Sequence, residues 1–132
     1  MANEIRLNRP DLLGSTIYCI LRRESDRYVW VPGNSAFEAP GTWDASRVGE
    51  CDIALTESPA NSGQFSADMP NVAEDEYYIE YFQQAGASPA LADTDTYLGG
   101  ETYQWDGHWL RPRHHEHNPN RQYGLATTVP GA

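Results

Sequence analysis

The sequence predicts an all-β protein, an immunoglobulin-like β-sandwich of about seven strands with extended arms at both ends. Three observations carry that expectation. Apolar residues recur with a period of two in short runs, the spacing at which a strand shows one face to a core. Glycine and proline together make up 20 of the 132 residues and cluster between those runs. No window of about twelve residues carries the i, i+3, i+4, i+7 spacing of an amphipathic helix without a proline or glycine inside it.

The elements follow in order. Residues 1–13 read as an N-terminal arm, because Arg9-Pro10-Asp11 precludes a central strand and Gly14 opens the body. Ile17, Cys19 and Leu21 then share one face of a strand, with Thr16, Tyr18 and Ile20 on the other. A polar turn over residues 22–26 leads into a β-branched and aromatic strand over residues 27–31, which closes a hairpin and stops at Pro32-Gly33-Asn34. Residues 35–38 form a weak strand, and Trp43 falls in the connection after it. Residues 52–57 alternate cleanly, and residues 58–63 are a turn cluster. Residues 64–69 alternate again, with Phe65, Ala67 and Met69 inward. After a loop comes the strongest strand, residues 76–83. It places Tyr77, Ile79 and Tyr81 on one face and Tyr78, Glu80 and Phe82 on the other. Residues 97–105 are the last strand of the body, with a bulge expected at Gly99-Gly100. Beyond Gly107 the alternation stops, and Pro112, Pro119, Gly124 and Pro130 break any regular element. Residues 108–132 therefore read as an extended tail, with a reach on the order of 80 Å. The domain boundaries are thus 1–13 for the arm, 14–107 for the sandwich and 108–132 for the tail.

Composition narrows the function. A net charge of −10 argues against nucleic-acid binding, which needs a basic footprint. The charge is uneven: residues 1–107 hold six Arg and 18 acids, a net of −12, whereas residues 108–132 hold three Arg and one Glu, a net of +2. There is no lysine. A basic segment behind an acidic body is suited to docking on acidic surface, its own or a neighbour's. No apolar run approaches the ~20 residues that span a bilayer, so no membrane partner is expected. The N-terminus has no apolar signal region, which points to a product made in the cytoplasm and not exported through a cleaved leader. Cys19 and Cys51 have neither metal nor redox spacing and read as reduced, buried thiols.

The ordered features from Gly14 to Gly107 resemble a small β-sandwich domain of bacteriophage and prophage virion structural proteins. The residues that carry the resemblance are Val29-Trp30 followed by Ser35-Ala36-Phe37-Glu38, then Ile53-Ala54-Leu55-Thr56-Glu57. Next comes Gly63-Gln64-Phe65-Ser66-Ala67-Asp68-Met69-Pro70, which is similar to the family's Gly-Tyr-Tyr-x-x-x-Phe-Pro strand. Gln84-Ala85-Gly86-Ala87-Ser88-Pro89-Ala90, Asp93 and Trp105-Asp106-Gly107 complete the set. Relatives of this kind look like virion parts, often tail-fibre-like chains in which the domain precedes a helical stalk. Here no heptad stalk follows Gly107. The resemblance therefore implies a small stand-alone virion component, such as a capsid decoration, neck or tail-adaptor protein. It implies no catalytic site. Virion symmetry implies a homo-oligomer that also contacts other virion proteins, with a ring or trimer expected.

The residue types enriched at contact centres nominate Trp109, Arg111, Arg113 and Tyr123 for subunit contact. Two other chemistries have candidates. In an extended segment His115 and His117 point the same way. Repeated on three symmetry-related chains they present six imidazoles, an octahedral transition-metal site in a trimeric fibre or spike piece, with His108 and His114 near by. A solvated, His-rich tail explains the same residues without metal. The aromatics Trp30, Trp43, Trp105 and Trp109 suggest a sugar-stacking platform, which makes a carbohydrate-binding adhesion module the alternative function. Core packing is the plainer reading, and at least two of the four Trp are expected inside. Asp93-Thr94-Asp95 and Glu74-Asp75-Glu76 offer oxygens for Ca²⁺ without the spacing of a known loop, and read as solvated. Nucleophile elbows, phosphate-cradling glycine loops and paired zinc cysteines are absent from the sequence, so an enzyme is not expected.

Overall fold

A computed structural model describes residues 3–90 and 94–112. It is an all-β sandwich with one short helix. The elements are β1 (Ile5–Asn8), β2 (Ile17–Arg23), β3 (Val29–Val31), β4 (Ala36–Glu38), α1 (Ala45–Cys51), β5 (Ile53–Ala54), β6 (Thr56–Glu57), β7 (Gln64–Ala67), β8 (Asp75–Gln83), β9 (Thr96–Trp105) and β10 (Leu110–Pro112). A small sheet has the order β1-β7-β6, and a large sheet the order β10-β9-β8-β2-β3-β4, with β5 also paired to β2. Every pairing is antiparallel.

The inner core lies between the sheets. Ile17, Cys19 and Leu21 of β2 and Tyr77, Ile79 and Tyr81 of β8 face it, together with Trp30, Tyr103 and Trp105. Ile5, Phe65 and Met69 close it from the small-sheet side, and Ala67 packs against it. The alternation on β8 is as the sequence predicts. Three polar side-chain atoms inside are partnered: the Tyr81 and Tyr103 hydroxyls meet at 2.9 Å, and Trp105 Nε1 donates to the Val72 carbonyl at 3.2 Å. The β8–β9 register shifts between Tyr81, opposite Gly99, and Phe82, opposite Tyr97, so Leu98 is the extra residue of a bulge. Gly99 takes it at φ +116, a conformation side chains disfavour.

The outer face of the large sheet holds a second core. Tyr18, Ile20, Val29, Val31, Val48 and Cys51 are buried there, with Trp43 and Phe82 packed against them. β2 is thus buried on both faces, from Ile17 through Leu21. Helix α1 is the cover. Its N-cap is Asp44, whose carboxylate accepts from the Arg47 N–H at 2.9 Å, and it turns Val48 and Cys51 onto the sheet. Cys19 and Cys51 are free thiols in different cores, on opposite faces of the sheet. Burial pushes both thiols up, which suppresses thiolate chemistry.

Four readings from the sequence are corrected. Residues 1–13 are not simply an arm: Ile5–Asn8 pairs with Gln64–Ala67, and Ile5 is fully buried. Pro10 does not prevent this, because it starts a 3-10 turn only after the strand has ended. Residues 52–57 are not one strand. Ile53–Ala54 pairs with β2 and Thr56–Glu57 with β7, so the chain changes sheets at buried Leu55. Residues 27–31 shorten to Val29–Val31 because Arg27, at φ 62, completes the preceding turn. Residues 108–132 do not all leave the body, since Leu110–Pro112 pairs with Tyr103–Trp105. Among the described residues ten strands thus stand where about seven were expected.

Glu57 ties the β1–β2 and β6–β7 connections together. Its carboxylate accepts from Gly63 N–H at 2.8 Å and Gly14 N–H at 3.1 Å, and these bonds, chiefly the one from Gly63, hold it below the usual carboxylate range. Gly63 sits at φ +77, and a Cβ there would meet Pro10 Cα at 2.6 Å. Gly63→Ala is expected to lower stability by about 1–3 kcal/mol in denaturant unfolding. Gly49 of α1 has open space around its Cβ position, so Gly49→Ala should raise stability by up to about 1 kcal/mol.

Candidate functional site

Two surface features stand out on this frame. The first is a cleft of about 360 Å³ on the outer face of the large sheet. Tyr18, Ile20 and Phe82 form its floor, Val48 of α1 and Trp43 one wall, and Ala90 and Tyr97 the other, with the Glu80 side chain among them. β2, β8 and β9 supply the floor and Tyr97 because alternate residues of adjacent strands rise from one face. The rings are ordered: Tyr18 stacks on Phe82 at 5.3 Å between centroids, and Tyr97 tilts against Phe82 at 5.5 Å.

Charge in the cleft is arranged around Arg22. Its Nε donates to Glu80 Oε1 at 2.9 Å, with both side chains about four-fifths buried (15% and 21% exposed), and its guanidinium lies 4.7 Å from the centre of the Trp43 ring. Trp43 is therefore held in place by a cation–π contact as well as by packing. The Tyr97 hydroxyl bonds with that of Tyr78 at 3.3 Å, which with partial burial pushes its pKa up to about 12.

The loop beside the cleft is fixed by one buried carboxylate. Asp95 is 2% exposed. Its Oδ2 accepts from the Tyr18 hydroxyl at 2.6 Å and the Ala90 N–H at 2.7 Å, and its Oδ1 accepts from the Ala85 N–H at 3.0 Å. Burial alone would raise the Asp95 pKa. The three hydrogen bonds outweigh it and hold the carboxyl below its ordinary value. Burial beside this carboxylate pushes the Tyr18 phenol up, so it remains a donor. The reading of Asp95 as a solvated loop residue is thereby corrected: it is buried, and three donors face its oxygens. Asp93 lies outside the described residues.

The second feature is the β9–β10 hairpin tip. Asp106 accepts from the N–H groups of Trp109 at 2.7 Å and His108 at 2.9 Å, and these bonds hold its carboxyl below the usual range. The turn carries Trp109 outward at 64% exposure, the most exposed large apolar side chain among the described residues. Arg111 is exposed, with its guanidinium 3.6 Å from Asp106.

Of the nominated contact residues, the structure therefore places Trp109 and Arg111 together on this hairpin. Arg113, Tyr123, His115 and His117 lie outside the described residues. Among the described residues no cluster of His, Cys, Asp or Glu is grouped as for a metal ion, and no helix is long and apolar enough to cross a membrane. The four Trp do not make one platform. Trp30 and Trp105 are buried in the inner core, Trp43 lines the cleft, and Trp109 stands at the hairpin. The cleft itself was missed. Its signal was the uninterrupted apolar run from Ile17 to Leu21, which marks a strand covered on both faces.

No family model matches the chain, and no similar curated protein or solved structure was found.

Asp95→Asn tests the loop anchor. An amide presents one acceptor oxygen and one NH₂ group, so at least one of the three donors loses its partner. A loss of about 2–3 kcal/mol at pH 7 is expected. Because the folded carboxyl is depressed, its stabilising effect is present above the unfolded pKa and is lost as pH falls through the folded one. The gap between wild type and Asp95→Asn in chemical unfolding should therefore be full at neutral pH and narrow below about pH 4.

Proposed function

We propose that this chain is a non-enzymatic structural subunit of a bacteriophage virion, of the decoration, neck or tail-adaptor kind, which works by assembling with neighbouring subunits. The ordered resemblance from Gly14 to Gly107 supplies the virion setting. One structural observation supports the mode of action. β10 pairs only with Tyr103–Trp105 at the margin of the large sheet. Further along β9, towards Thr96, the described residues place no strand on that side. An open strand edge is a ready template for another chain. β10 runs antiparallel to β9, and residues 113–132 include Arg113, Arg121 and Tyr123.

The charge distribution favours the same reading. Residues 1–107 carry a net of −12 and residues 108–132 a net of +2, so the terminal segment is attracted to the acidic body of a neighbour. The well-placed carboxylates serve the backbone: Asp44 caps α1, Glu57 and Asp95 fasten loops, and Asp106 shapes the hairpin. This is the polar chemistry of a rigid building unit. Ile5–Asn8 is already paired with Gln64–Ala67 of its own subunit, so this strand is not the one offered to a neighbour.

Light scattering across a concentration series tests the proposal. The full chain should associate, and removal of residues 113–132 should shift association to higher concentration and weaken its dependence on salt. The truncation ends at Pro112 so that β10 is kept. A full chain that remains monomeric up to about 100 µM, weaker than the µM range of ordinary specific contacts, would contradict self-assembly.

A further inference from the structure

We propose that the outer-face cleft is a socket for Trp109 of a second copy of this chain, so that subunits join head to tail. The inference rests on the assembly reading above and deepens it by naming the two surfaces. The cleft is mostly apolar, walled by Trp43, Phe82 and Tyr97, and at about 360 Å³ is near the lower end of the range of sites that engulf a small ligand. It holds one strong acceptor, the Glu80 carboxylate. Arg22 bonds Glu80 Oε1, and a carboxylate has about four lone-pair positions, so capacity remains for another donor. An indole is the matching group: a large apolar ring with a single N–H that only donates.

Such a ring stands exposed on the same chain. Trp109 projects from the tip held by Asp106, beside the exposed Arg111, on a C-terminal segment (residues 108–132) whose net charge of +2 complements the acidic body. A subunit's own Trp109 stands away from its cleft. Tyr97 marks one end of β9, and Trp105, opposite Leu110, marks the other; the separation is about 26 Å at the strand rise. A Trp109 that enters the cleft therefore comes from another copy. Knob and socket are different patches, so the contact is heterologous and propagates into a ring or a filament.

Sedimentation velocity on two variants and their mixture tests this. Trp109→Ala removes the knob and keeps the cleft. Ala90→Trp fills the cleft and keeps the knob; only the backbone of Ala90 is used, in bonds to Asp95 and Tyr18. Each variant alone should associate about thirtyfold or more weakly than wild type, as expected for loss of a central aromatic contact. Their equimolar mixture should form a heterodimer and nothing larger, because one intact knob meets one intact socket. If near-ultraviolet circular dichroism shows Ala90→Trp to be misfolded, Tyr97→Glu at the rim takes its place. Association of Trp109→Ala at wild-type strength, or a mixture of folded variants that stays monomeric, overturns the inference while the assembly reading stands. Wild-type chain that never associates overturns both.

Discussion

Everything in this fold depends on β2 being buried on both faces. Ile17 to Leu21 are five successive buried residues, alternating between two cores. A strand of that kind needs a cover on each side. On the inner side the cover is the small sheet, reached when the chain crosses between sheets at Leu55 and completed by Ile5 and Phe65. On the outer side it is α1 with Trp43, together with the loop that Asp95 fastens to the Tyr18 hydroxyl. Among the described residues the outer cover is incomplete between Val48 and Tyr97, and the cleft lies there.

Much of this was legible in the sequence, for physical reasons that also explain the rest. Tyr77, Ile79 and Tyr81 announce their face because β8 has core on one side and half-buried residues on the other. The bulge at Gly99 is legible because glycine accommodates the φ it requires. Helix α1 is not, since seven residues are too few to show a period, and its Gly49 lowers the helical signal further. β1 was hidden by Pro10, which acts only on residues beside it. The division of residues 52–57 is invisible to alternation, because each half keeps its pattern while turning to a different sheet.

The candidate site was legible only in part. Trp109 and Arg111 are recognisable by type, as residues suited to contact, and the structure gives them a common place on one hairpin. Asp95 is not recognisable, because its role depends on Tyr18, 77 positions away, and on backbone groups of its own loop. The cleft is likewise a tertiary property of β2, β8, β9 and α1. These long-range contacts turn an apolar run and a solvated-looking Asp into a shaped surface.

The functional account joins these parts. The two-core sandwich supplies the frame, the β9–β10 margin an edge that no other described strand covers, with a protruding indole, and the outer face a cleft of suitable chemistry. Native mass spectrometry of the full chain at low salt tests that account most directly. It predicts discrete species larger than the monomer, dominated by one closed stoichiometry if the head-to-tail rotation closes and by a ladder of additions if it does not. Monomer alone, at concentrations where ordinary specific contacts form, would contradict it.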